Sequence, residues 1–137
     1  MSSGHIPIFL RKLVIRRAKN RCEYCQLSQI GQEATFHIDH VTPLVSGGQT
    51  DADNLALACV SCSLRKGAKE SATDPKTKKV CRIFNPRNDT WEKHFEWQGF
   101  NVKGRTPTGR ATIETLKLNR KIIIAIRNEE DLLGRFS

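Results

Sequence analysis

The chain has 137 residues, of which 38% are hydrophobic and 27% charged, the composition of a soluble protein large enough to bury one modest core. Twenty-three Lys plus Arg against 14 Asp plus Glu leave a net charge of +9, a positive field that favours a polyanionic partner, nucleic acid by default. No stretch of 18 or more apolar residues is present, which argues against a membrane span.

The amino terminus lacks an apolar run ahead of a small-residue cleavage site, so no secretory leader is expected. A cytoplasmic, reducing location is therefore expected, where paired cysteines bind metal more often than they form disulfides. Pro7 opens a predicted helix over residues 6–20. Leu10, Leu13, Val14 and Ala18 fall on one side of it, and Lys12, Arg16 and Lys19 on the other, giving it a basic face for nucleic acid.

Two CxxC knuckles follow, Cys22-Glu-Tyr-Cys25 and Cys59-Val-Ser-Cys62, separated by residues 26–58. A two-residue gap lets both thiolates of a knuckle reach one ion, and two knuckles complete a tetrahedral shell with no open position. The expected occupant is structural zinc, with iron or a redox dithiol as alternatives. Cys81 stands outside the pattern and reads as a small apolar residue.

Between the knuckles, "TFHIDHVTPLVSGGQTDADNLALAC" concentrates the candidate chemistry. Thr35 to Val41 has strand composition. Period two places His37 and Asp39 on one face and Ile38 and His40 on the other. Pro43 ends the strand, Ser46-Gly47-Gly48 starts a loop, and Asn54 opens a second strand that runs into the second knuckle and a helix beginning near Val60.

The pieces "CEYC", "HIDHVTP", "SGG", "DNL" and "CVSCSLRKG" together resemble the HNH endonuclease family. The resemblance implies an α+β fold with a ββα-metal core at 21–67, zinc knuckles, the amino-terminal helix and a small α/β extension at 68–137, the whole forming one domain. It also implies an endonuclease that hydrolyses phosphodiester bonds in nucleic acid, most simply double-stranded DNA. His40 stands at the general-base position, where imidazole takes a proton from the attacking water. Asp39 matches the ligand of a single Mg²⁺ or Mn²⁺, which would stabilise charge on the phosphorane and the leaving 3′ oxygen. Asn54 matches the residue that aims His40. Lys66, with Arg65 beside it, matches a helix lysine that contacts phosphate. His37 shares the Asp39 face as a possible further ligand.

One position departs from the family. The residue after the last knuckle cysteine is Asn or His in the family and is Ser63 here. A hydroxyl, or a water it holds, can still serve Mg²⁺. The rival reading is therefore a zinc-containing nucleic-acid-binding module that has lost catalysis; a redox protein would show thiol chemistry instead.

Beyond residue 67 the expectations are structural. Residues 68–80 read as a loop with a turn at Asp74-Pro75. "HFEWQGFNV" reads as a hairpin, and "ATIETLKL" and "RKIIIAIRNEEDLL" as two closing helices, the second capped by Asn119. Trp91, His94, Phe95 and Trp97 are expected to pack a second core rather than stack on bases.

Overall fold

The computed structural model describes residues 5–136. The fold is α+β, built from five helices and three two-stranded antiparallel pairs among those residues. No helix among them is long and apolar enough to cross a membrane. The chain gathers into two compact units. The first runs through Glu70 and takes back Asn85–Asn88; the second holds Ser71–Phe84 and the residues from Asp89 on.

In the first unit, helix α1 (Ile8–Arg17) starts where the Pro7 carbonyl accepts hydrogen bonds from the amides of Leu10 and Arg11. Pro7 sits just before the helix, a place where its missing N–H costs nothing. The helix stops because Lys19 and Asn20 take left-handed backbone angles, φ 55° and 59°. Of the predicted apolar stripe only Leu10 and Val14 are buried, one turn apart, and Leu13 faces solvent. Lys12, Arg16 and Lys19 are exposed, as the amphipathic reading expects.

Strand β1 (His37–His40) pairs with β2 (Leu55–Ala58) in the register His37 with Ala58 through His40 with Leu55. The ladder is shorter than the strand composition of 35–41 suggests, although Val41 adds a hydrogen bond to the Asn54 carbonyl. Every residue of β2 is buried, in keeping with its unbroken "LALA". Helix α2 (Val60–Lys66) follows at once, with Cys59 as its N-cap. Two strands and a helix thus fold in sequence as a ββα element.

In the second unit, residues 68–80 do not form the plain loop that their polarity suggests. Strand β3 (Ser71–Thr73) pairs with β4 (Val80–Arg82) across the Asp74 turn. The Asp74 carboxylate accepts bonds from the amides of Lys76 and Thr77 and from the Thr77 hydroxyl. It also takes both arms of the Arg110 guanidinium at 2.9 Å. Three-residue strands leave little periodicity to read, and the Arg110 partner lies 36 residues away.

Helix α3 (Trp91–His94) leads into the predicted hairpin, β5 (Phe95–Gln98) and β6 (Asn101–Gly104), which turns at Gly99 with φ 63°. Helix α4 (Pro107–Leu116) begins earlier than "ATIETLKL", because Thr106 caps it by accepting from Gly109 and Pro107 takes the first turn. Helix α5 (Lys121–Leu132) has no side-chain cap. Asn119, expected to cap it, instead clamps β6, accepting from the Val102 amide at 2.7 Å and donating to its carbonyl at 2.8 Å. Phe84, Phe95, Val102, Leu116, Leu118 and Ile123 form this unit's core. Trp97 lies at its margin with the Arg127 guanidinium 5.1 Å from its ring centre, and Cys81 is half-buried.

Candidate metal centre and catalytic site

The two knuckles meet because of Glu23. Its amide donates to the Leu57 carbonyl at 2.8 Å, and its carboxylate accepts from the Leu57 amide at 2.8 Å. This pins the first knuckle beside β2, two residues before Cys59. The sulfurs of Cys22, Cys25, Cys59 and Cys62 then lie within 4.8 Å of one another, all buried. A tetrahedral ion with metal–sulfur bonds of roughly 2.3 Å needs sulfurs roughly 3.8 Å apart, and Cys25 and Cys59 stand at 3.7 Å.

Each knuckle also turns a backbone amide onto its first sulfur, Cys25 to Cys22 and Cys62 to Cys59, both at 3.4 Å. Left to themselves the thiols conflict. Burial pushes Cys22 up and hydrogen bonding with Cys22 pushes Cys62 up, while hydrogen bonds from Cys22 and its neighbours pull Cys59 far down. Four sulfurs cannot all ionise side by side without a cation, and this donor set suits one metal ion.

Strand β1 carries the predicted polar residues, and α2 supplies what they meet. Ser63 and Lys66, three residues apart, project from one face of the helix toward β1. The Ser63 hydroxyl is fully buried and lies 2.9 Å from His37 Nδ1. The Lys66 ammonium lies 3.2 Å from Asp39 Oδ2 and donates to the His40 carbonyl at 3.2 Å. His37 and Asp39 therefore do share the face that period two predicts. Lys66, expected at a phosphate-facing surface, is 1% exposed. Arg65 is on the surface, with its Nε donating to Ser61.

Tyr24, between the first two cysteines, was not singled out in the sequence. Its hydroxyl donates to Asp39 Oδ2 at 3.1 Å, so the knuckle that holds the metal centre also holds the carboxylate. Burial raises the Asp39 carboxyl above its ordinary value against the opposing pull of Lys66 and Tyr24. A fully buried tyrosine needs a partner for its hydroxyl, and a CxYC knuckle is the signal that was available.

His40 is also buried, and its Nε2 lies 2.9 Å from Thr50 Oγ1. Burial lowers its pKa below the ordinary value; Asp39 opposes the shift and Lys66 adds to it. Asn54 organises the loop that brings Thr50 there. Its side chain accepts from the Thr42 amide at 2.8 Å and donates to the carbonyls of Thr42 at 3.0 Å and Gln49 at 2.9 Å. Gly48 is required in this loop, since a Cβ would stand 1.8 Å from the Thr42 carbonyl oxygen. The arrangement presents a neutral imidazole oriented by a hydroxyl, an adjacent carboxylate held by two donors, and a buried hydroxyl on the facing helix.

Comparison with known proteins agrees with this geometry. Over 114 residues the chain is 24% identical to the Septu protein PtuB of Bacillus thuringiensis, covering 82% of this chain and 42% of that protein. It thus spans about two-fifths of its relative's length. Residues 22–69, from the first knuckle cysteine to just past α2, match the family model described as HNH endonuclease. The ββα element and its four-cysteine clip thus match the HNH endonuclease domain over residues 22–69.

Proposed function

We propose that the chain is a metal-dependent endonuclease that hydrolyses phosphodiester bonds in DNA, with His40 as general base and zinc as a purely structural ion on Cys22, Cys25, Cys59 and Cys62. The observation that carries this reading is that Asp39 and His40 are consecutive buried residues of β1, each held by its own hydrogen-bond partner, with Ser63 of α2 against the neighbouring His37. A binding module without chemistry has no use for an imidazole kept neutral by burial.

The catalytic ion would be Mg²⁺ or Mn²⁺, held by Asp39 with Ser63 Oγ, directly or through water, and His37 beside it. The donors suit such an ion, with hard oxygens and a carboxylate that already attracts a cation, the Lys66 ammonium. When bound, it would supply positive charge for the phosphoryl oxygens and the leaving 3′ oxygen.

The remaining work falls to the protein. Thr50 holds His40 Nε2 and so orients the ring that would take the proton from the attacking water. Asn54 keeps that loop in place, and Tyr24 keeps Asp39 turned toward α2. Arg65, Lys12, Arg16 and Lys19, all exposed, would meet the phosphate backbone. The products would carry 5′-phosphate and 3′-hydroxyl ends, and a reducing cytoplasm would suit the thiolate site.

A second reading, a zinc-containing module that only binds nucleic acid, draws on the same Lys66 ammonium, which neutralises Asp39. Nicking of supercoiled plasmid in Mg²⁺, Mn²⁺ or EDTA decides between them, with His40→Ala run alongside. Ion-dependent nicking that disappears in the variant while DNA binding persists is the expected result. Intact plasmid in every lane, with DNA still bound, would leave the binding module.

A further inference from the structure

We propose that Lys66 is the resident cation of the Asp39 site, and that a divalent ion binds there by displacing its ammonium. The inference rests on the catalytic-ion reading above and concerns a residue whose expected partner was phosphate.

The geometry is closed around one oxygen of the carboxylate. Asp39 Oδ2 accepts from Tyr24 Oη at 3.1 Å and from Lys66 Nζ at 3.2 Å, which occupies both lone pairs of that oxygen. Lys66 is held from a second side by the His40 carbonyl at 3.2 Å, so its ammonium is fixed rather than loosely associated. Both partners of the pair are at most 2% exposed. At such depth water screens little of the repulsion between an ammonium and a divalent ion on the same carboxylate, which favours exchange of one for the other.

The ammonium has a reason to be there. A buried carboxylate without a partner is strongly unfavourable, and Lys66 supplies one before any ion arrives. Its flexible stem allows the head to leave without moving α2, since only the far end of the side chain need shift. Binding of the ion is then an exchange of one cation for another, weaker than an empty carboxylate would give, and it releases a charged amine next to the reacting centre.

The test uses the full zinc-loaded chain and Mn²⁺. The Lys66 amine is acylated with an N-hydroxysuccinimide ester in the absence and presence of Mn²⁺, and its modification is followed by peptide mass spectrometry with exposed Lys69 as the internal reference. Lys66 should react far more slowly than Lys69 without the ion and approach it once Mn²⁺ is bound. In Asp39→Asn, Lys66 should be reactive throughout and indifferent to Mn²⁺. Electron paramagnetic resonance should show Lys66→Met binding Mn²⁺ tighter, on the scale by which neighbouring groups tune metal affinity, about tenfold or more. The labelling of the unaltered chain stands whether or not that variant folds. Lys66 still protected while Mn²⁺ binds in an Asp39-dependent way would overturn the exchange and leave the nuclease reading intact. Absence of any Asp39-dependent Mn²⁺ binding would overturn both.

Discussion

Thr50 shows how much a single hydroxyl can decide. Its Oγ1 lies 2.9 Å from His40 Nε2, and that contact orients the imidazole ring. Thr50→Val keeps the shape and removes the partner. With His40 as the proposed base, we expect kcat to fall by about 10- to 100-fold, the scale on which a lost orienting group acts, with KM and zinc content unchanged. The pH profile supplies an independent check. Burial favours the neutral imidazole, so the folded pKa of His40 lies below the unperturbed value near 6.5. Activity should therefore survive as pH falls past about 6.5 and be lost only through the lower, folded value. An acid limb centred above 6.5 would mean that burial does not set the base. The sequence made Asp39, His40 and Asn54 legible because "HIDH" and "DNL" are short local patterns. Thr50 and Tyr24 were not legible in this way, since nothing local says that a threonine ten residues on, or a tyrosine 15 residues back, closes on those side chains.

Between β1 and β2 the chain must cross from His40 to Leu55 and still deliver Thr50 to the imidazole. Asn54 meets that demand with three hydrogen bonds from one amide side chain, two to Thr42 and one to Gln49. Asn54→Ala removes all three and should lower stability by roughly 1–3 kcal/mol, with a larger proportional loss of nicking. Asn54→Asp separates the roles. It retains an acceptor for the Thr42 amide but cannot donate to either carbonyl, so its melting temperature should fall between wild type and Asn54→Ala while its activity follows Asn54→Ala. Equal activity in wild type and Asn54→Asp would show that the loop, and Thr50 with it, does not depend on those two donors. At this scale the sequence conveyed β1, β2 and α2 within a few residues, because β2 is continuously apolar and Cys59 must both ligate and cap. It conveyed β3 and β4 poorly, because their turn is closed by Arg110 from α4. Asn119 misled for the same reason: its local cap signal lost to two long-range bonds with Val102.

On the scale of the whole chain, the four cysteines and the second core answer to different forces. The first unit gathers four cysteines at one point: Cys22 and Cys25 lie before β1, Cys59 and Cys62 at the start of α2, and an ion bound there would tie all four together. Structural zinc of this kind contributes on the order of 10 kcal/mol, comparable with the stability of an entire small domain. The second unit carries its own apolar core of Phe84, Phe95, Val102, Leu116, Leu118 and Ile123, and its own ion pair, buried Asp74 with half-buried Arg110, with no cysteine ligand among them. Removing the metal with a strong chelator should therefore abolish hydrogen-exchange protection in β1, β2 and α2, while β5, β6 and α4 keep theirs. Acid should act in the opposite order on that ion pair. The Arg110 guanidinium holds the Asp74 carboxyl well below the usual carboxylate range, so its contribution is complete above pH about 4 and is lost only as pH falls toward the depressed value. Mild acid releases thiolate-bound zinc by protonating sulfur. The β3–β4 turn should accordingly stay protected at a pH where α2 has already exchanged, and simultaneous loss of both on chelation alone would show that the second core does not stand without the first.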